Sequence, residues 1–157
     1  MPKRSAGILP FRVSSDLSVE VLIVHPGGPL WKNKQDHAWS VVKGEHDPDE
    51  APEHAAEREF FEELGLPVPK GERLDLGEVQ QAGGKRVRVW AVEADDVPVG
   101  AILSNRFEME WPPNSGQRQS FPEIDRAEWV PIELARGRLV KAQAEFLDRL
   151  LALGFSK

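Results

Sequence analysis

The chain has no cysteine and no tyrosine, and its 157 residues include few unbroken apolar stretches. None approaches the roughly 18 consecutive apolar residues of a membrane-spanning helix, so a membrane is not expected as a partner. Without cysteine there are no disulfides, no thiol nucleophile and no thiolate metal site, and the chain is expected in the cytoplasm. Positive charge is also scarce: 20 Lys and Arg face 26 Asp and Glu, for a net charge of −6. Proteins that bind nucleic-acid polymers carry a basic face, so such a partner is not expected either. A small phosphorylated ligand stays compatible, provided metal ions bring the positive charge. The first residues, MPKRSAGILPFRV, start basic and turn apolar, but Pro10 and Arg12 interrupt the run and no cleavage site follows, so they read as a strand. Length and an ordinary composition, 40% hydrophobic and 29% charged, predict one domain over residues 1–157, as a monomer or homodimer.

Against these absences stands one segment, residues 44–66, GEHDPDEAPEHAAEREFFEELGL. Its acids are spaced, not merely abundant. Pro52 to Leu64 predicts a helix, with Pro in the first turn and Gly65 just past the end. At about 100° per residue, Glu59, Glu62 and Glu63 fall within an arc of roughly 100°. Ala56, Phe60 and Leu64 point the other way and give an apolar stripe to dock on a sheet. Like charges three and four apart destabilise an isolated helix, so something must offset them. A hard divalent cation is the natural candidate, and oxygen-only ligands favour Mg²⁺, with Mn²⁺ also suitable, over zinc. Glu50 and Arg58, about two helical turns apart, read as a structural ion pair holding the loop to the helix.

These residues match G-x5-E-x7-R-E-U-x-E-E-x-G-U, with U hydrophobic, at every defined position. At roughly 7% per fixed position, a chance match in a chain of this length is on the order of one in millions. The pattern resembles the Nudix box of the Nudix hydrolases, the MutT-related enzymes that act on nucleoside diphosphates linked to another group. The resemblance implies an α/β/α sandwich with a mixed sheet and the box helix on one face. It implies metal-dependent hydrolysis of a diphosphate linkage by water. By position it makes Glu59, Glu62, Glu63 and the Gly44 carbonyl metal ligands, and either Glu59 or Glu63 the general base. It further implies that Lys43, beside the box, holds a phosphate oxygen, and that a loop acid before Trp129 adds a ligand. Glu123 is the choice for that acid, over Glu108, Glu110 and Asp125. Relatives often carry Pro before the Lys-Gly pair; here the residue is Val42.

Elsewhere the pattern predicts strands at 5–13 and 19–25, and a short one at 39–42 that delivers Lys43 and Gly44. A hairpin at 74–80 and 85–93 turns at Gly83-Gly84. Its second arm alternates Arg86, Arg88 and Trp90 against Val87 and Val89, and the two arginines are candidates to grip phosphates. Residues 104–126 show little periodicity and predict a long functional loop in which Trp111 binds substrate. Trp31 and Trp39 also offer indoles for a nucleobase, although packing at a core edge is the plainer role for each. A short strand at 127–130, a helical turn at 131–136 and an amphipathic helix at 139–153 complete the chain. The four histidines share no ligand spacing, though His46 sits in the box loop. The leading function is therefore a MutT-like pyrophosphohydrolase acting on a nucleoside triphosphate or nucleoside diphosphate-X. The alternatives are a dinucleoside polyphosphate hydrolase, of the diadenosine tetraphosphate type, and a non-catalytic nucleotide-binding module, which would be expected to lose box acids.

Overall fold

The apolar run from Ala6 to Phe11 becomes the strand on which the sheet is assembled. The computed structural model describes residues 3–154. In chain order these form β1 (Arg4–Val13), β2 (Val19–Pro26), β3 (Val42–Glu45), α1 (Pro52–Leu64), β4 (Leu74–Gln80), β5 (Arg86–Glu93), β6 (Arg106–Glu110), β7 (Arg118–Pro122), β8 (Ile124–Pro131), α2 (Ile132–Arg138) and α3 (Ala144–Ala152). Short 3₁₀ turns occupy Ala82–Gly84, Val99–Ala101 and Lys141–Gln143. β1 is buried on both faces from Ser5 to Phe11, which is why its sequence does not alternate. It runs parallel to β5, and pairs antiparallel with β3 near its start and with β2 near its end. The strand order is β4-β5-β1-β2-β8, with β3 beside β1, so the sheet is mixed.

Each face of this sheet carries its own core. On one, Ala55, Ala56, Phe60 and Leu64 of α1 pack over Ala6, Ile8, Leu22, Val42 and Trp90. On the other, Ile132, Ala135, Leu139, Phe146, Leu147 and Leu150 cover Leu9, Val21, Ile23, Val87 and Val89. The result is the α/β/α sandwich that the resemblance implies. α1 ends where Gly65 turns left-handed, at φ 69°, and donates its N–H to Phe61 O. A Cβ at that position would stand 2.8 Å from the Leu103 carbonyl oxygen, so the helix stop needs glycine for both conformation and space. Among the described residues, no helix is long and apolar enough to cross a membrane.

Three expectations of local structure require correction. Residues 104–126 are not a structureless loop: β6 and β7 form a two-stranded antiparallel ribbon outside the main sheet, and β8 begins at Ile124. Phe107 pairs with Phe121 and Met109 with Gln119, while the Glu110 carboxylate accepts the Asn114 and Gly116 N–H groups to close the turn. Pro112, Pro113 and Gly116 mark that turn; they had concealed the short strands on either side. Next, Trp39 and Ser40 make only isolated bridges, and the strand instead runs through Lys43 and Gly44. Lastly, the helix expected over 139–153 begins only at Ala144. Extended backbone at Leu139 and Val140 serves Trp39 instead: Trp39 N–H donates to Arg138 O, and Val140 N–H to Trp39 O.

Because Phe60 is wholly buried between α1 and the sheet, Phe60→Ala should cost about 3–5 kcal/mol of unfolding free energy. Urea denaturation followed by circular dichroism measures this; a loss below about 1 kcal/mol would mean that α1 is not docked as described.

Candidate active site

α1 meets the sheet at a contact made possible by a missing side chain. Glu59 is only 7% exposed. Its carboxylate lies against the Cα of Gly44, where an added Cβ would sit 1.9 Å from Oε2. One turn further, Glu62 and Glu63 project from the same side of the helix. Arg58 binds this group together. Its Nε and Nη2 donate to the two oxygens of Glu50, each at 2.8 Å, while Nη1 donates to Glu59 Oε1 at 2.8 Å and Glu62 Oε2 at 3.0 Å. The guanidinium thus ties the loop before α1 to two acids on the helix.

The charges respond unequally. The Arg58 hydrogen bonds hold the partly buried Glu50 carboxyl down at about 2, and Arg58 is itself raised, chiefly by Glu50. Glu59 moves up, because its burial outweighs the opposing hydrogen bond from Arg58. Glu63 is pushed up to about 7, first by burial and then by the neighbouring carboxylates of Glu123 and Glu59. Glu123 arrives from the junction of β7 and β8, where its N–H donates to Asn105 O and its carbonyl accepts from Gly27 N–H. The other acids considered for its place are occupied differently: Glu110 closes the ribbon turn, Asp125 pairs with His25 Nδ1 at 2.8 Å, and Glu108 is exposed on β6.

Among the described residues no three acids are drawn in around one point, and Arg58 Nη1 lies between Glu59 and Glu62. The donor set is nonetheless one of hard oxygens, and burial, with neighbouring carboxylates at Glu63, raises the carboxyls of Glu59 and Glu63. Both features fit Mg²⁺ or Mn²⁺. Glu59, Glu62, Glu63 and Glu123, with the Gly44 carbonyl, are the residues that would hold such an ion.

Lys43 extends from the opposite face of β3 to Gly44, where it lines a cavity of about 230 Å³ with Trp31, Ser40, Gln81 and Gln143. Burial, then the adjacent ammonium of Lys85, lowers the Lys43 pKa to about 8. Larger hollows of about 750 and 540 Å³ lie at the far ends of β1 and β5, away from the acids. Arg86 and Arg88 face β4, pairing with Glu78 at 3.4 Å and Asp75 at 2.6 Å. Arg88 shares a cross-strand row with Ala6 and Gly44, about 10 Å from Gly44 at normal strand spacing. Trp111 lies at the turn of the ribbon, a length of roughly 17 Å from Glu123 at its base. Trp39 is fully buried, 5.1 Å from the His25 ring, and donates its indole N–H to Gln35.

Several residues here gave no signal in the sequence. Gln143 is buried in the cavity wall, where Oε1 accepts the Val41 N–H at 2.9 Å and Nε2 donates to Ser40 Oγ and Gln81 Oε1. His25, also buried, donates from Nε2 to Lys34 O at 2.7 Å and anchors the segment after β2. Lys85 offers only the start of a strand. None of the three belongs to a local spacing pattern; chain positions far apart bring them in.

The sequence model of the NUDIX domain matches residues 1–150. No curated protein matches the chain at a significant level. Many solved structures do. A Caenorhabditis elegans Ap4A hydrolase, in a binary complex, is 22% identical with a TM-score of 0.63, over 98% of this chain and 99% of its own. The NUDIX domain of Shewanella oneidensis NrtR, complexed with ADP ribose, is 14% identical with a TM-score of 0.64, over 98% and 88%. A MutT structure from work on Aliivibrio salmonicida and Vibrio cholerae is 20% identical with a TM-score of 0.54, over 96% of each chain. At these identities the likeness is one of fold.

The Arg58 junction makes a stability prediction. Arg58→Met leaves the buried Glu59 carboxylate without its donor and should cost about 1–3 kcal/mol in urea denaturation at pH 7. Glu50→Gln keeps an acceptor for Arg58 and exposes nothing, so its loss should be smaller. An equal or larger loss from Glu50→Gln would reverse this ranking.

Proposed function

The chain belongs to the NUDIX family, and we propose that it is a divalent-metal-dependent hydrolase cleaving the diphosphate linkage of a nucleoside triphosphate or nucleoside diphosphate-X by water attack. The observation that carries this reading is the packing of the buried Glu59 carboxylate against Gly44, on the helix face that also bears Glu62 and Glu63, with Glu123 near Glu63. Glu59 is raised by burial despite its hydrogen bond from Arg58, and Glu63 by burial and by Glu123. When bound, Mg²⁺ or Mn²⁺ would acidify a water and neutralise charge on the diphosphate.

In this reading the protein's own residues divide the work. Glu59, Glu62, Glu63 and Glu123 supply negative charge for the cation, with the Gly44 carbonyl. Arg58 and Glu50 position Glu59 and Glu62 on the helix face. Glu59 or Glu63 accepts the proton of the attacking water, and a carboxyl raised above its usual range suits that role. Lys43 binds a phosphate oxygen from the other side of β3. Arg88 and Arg86 are proposed to hold outlying phosphates once released from Asp75 and Glu78, and Trp111 a substrate group reached by the ribbon. Dinucleoside polyphosphates carry the same bridging linkage and form the alternative substrate class. A binding module without turnover is disfavoured by the full set of box acids.

A panel of nucleotide substrates with Mg²⁺, with products identified by mass, tests the proposal directly. Glu59→Gln and Glu63→Gln should each lower kcat by several orders of magnitude with the circular dichroism spectrum unchanged, since each removes a charge at nearly constant volume. Wild-type rates in both variants would sink the assignment. Removing metal with EDTA should abolish turnover while leaving the fold cooperative, because both cores are built from apolar burial. Mg²⁺ should in turn raise the melting temperature of the metal-free protein, as any ligand of the native state does.

A further inference from the structure

The cavity across β3 from the carboxylates is walled by amides whose orientation the backbone dictates. Gln143 is wholly buried there, and its Oε1 accepts the Val41 N–H at 2.9 Å. A backbone N–H can only donate, so the Gln143 carbonyl must face it and the amide nitrogen must face away. That nitrogen donates to Ser40 Oγ at 3.2 Å and to Gln81 Oε1 at 2.9 Å. Ser40 Oγ can accept because it gives its own proton to Val41 O. Both N–H groups of Gln143 are thereby spent, and Gln81 must in turn show it the carbonyl end. The Gln81 amide nitrogen is left on the far side, with no hydrogen bond among the described residues and open to solvent.

The backbone under Gln81 is equally fixed. Its N–H donates to Lys85 O at 2.7 Å, and its carbonyl accepts the Gly84 N–H at 3.0 Å. What the cavity leaves to a ligand is therefore chiefly donors, the Gln81 N–H and the Lys43 ammonium. Val24, Val41 and Ile124 line the rest with apolar surface, and Trp31 stands in the wall with 41% of its surface exposed. An exposed indole beside an apolar slot suits a flat ring stacked on it. At about 230 Å³ the cavity has room for one ring system and not for a whole nucleotide. Lys43 is one strand step from Gly44, so the rest of a nucleotide has a short path to the acids.

We infer that Gln81 is a specificity-determining residue that reads the edge of a nucleobase seated in this cavity, and that it selects a ring carbonyl over a ring amino group. An oxopurine or oxopyrimidine offers an acceptor to the Gln81 N–H, whereas adenine and cytosine place an amino donor against it. Two opposed donors cannot bond, and each gives up water on seating. Gln143 sets the direction of the preference, because the Val41 N–H fixes its amide and its amide fixes that of Gln81. The inference rests on the diphosphate-hydrolase reading above, which supplies the nucleotide; the contact itself needs no metal.

Isothermal titration in EDTA buffer, with inosine and adenosine monophosphates as probes, reads the contact without metal or turnover. The probes differ at the ring edge, carbonyl against amino. The wild type should bind the inosine probe about tenfold more tightly, roughly one hydrogen bond. Gln81→Glu keeps an acceptor for Gln143 Nε2 but replaces the free N–H with a second acceptor, so the preference should invert. Its added charge weakens both probes alike and cancels in the ratio. Gln81→Ala should bind the two equally, and Gln80→Glu, with the same charge on the exposed neighbour, should keep the wild-type ratio. Equal affinity in the wild type, or binding of neither probe, overturns the inference, and so does a wild-type ratio in both Gln81 variants. With Mg²⁺, kcat/KM for inosine triphosphate should exceed that for adenosine triphosphate by the same factor. Equal hydrolysis of the two, with equal binding, refutes the base contact while sparing the hydrolase reading. The binding preference, in a wild type that hydrolyses none of the substrate panel, upholds the contact and refutes the hydrolase reading instead.

Discussion

The contact between the Glu59 carboxylate and the Cα of Gly44 sets how α1 meets the sheet. Any side chain at 44 would occupy the space of that carboxylate, so sheet and helix can approach this closely only through glycine. The approach buries Glu59, and burial raises its carboxyl. It also fixes the rotation of α1, because Ala55, Ala56, Phe60 and Leu64 must face the sheet while Glu59 stays at its edge. Glu62 and Glu63 then have one direction to point. Arg58 makes the arrangement tolerable by donating to Glu50, Glu59 and Glu62 from a single planar group.

The charge around β3 is divided by the pleat of the strand. Successive residues point to opposite faces, so Lys43 and Gly44 separate an ammonium side from a carboxylate side within a single step of chain. Arg58 offsets part of the charge on the acid side. The acids are raised and the Lys43 ammonium is lowered, each by burial first and by like charge second in the cases of Glu63 and Lys43. A ligand that brings a cation to one side and phosphate to the other would relieve both at once. The proposed substrate, a nucleotide diphosphate linkage with its metal ion, has that composition.

Much of this could be read from the sequence because it lies in one helix. The three acids, the apolar stripe of Ala56, Phe60 and Leu64, and the glycine stop are all consequences of 3.6-residue periodicity, and α1 spans Pro52–Leu64 as that periodicity predicts. What the sequence hid depends on tertiary pairing. The ribbon of β6 and β7 shows few apolar residues because it stands outside the main sheet and keeps charged side chains on its exposed positions. The break at Leu139 follows from the backbone needs of Trp39, a hundred residues earlier in the chain. Gln143 looks like a polar position on an amphipathic helix until Val41, Ser40 and Gln81 are folded against it.

The same distinction separates the parts of the candidate site. The acids of α1 are placed by local geometry and stay together whatever the loops do. Glu123, Lys85 and the cavity wall are placed by the sheet and its connections: Glu123 by the Gly27 and Asn105 hydrogen bonds, Lys85 by its carbonyl bond to Gln81 N–H at the edge of β5. These connections are the places where the chain can be altered without disturbing the helix. In a family sharing one box, what surrounds the box is therefore what can set the number of phosphates and the attached group. In this chain those surroundings are an acid from the ribbon's base and a small cavity, lined by Lys43 and edged with amides, across β3.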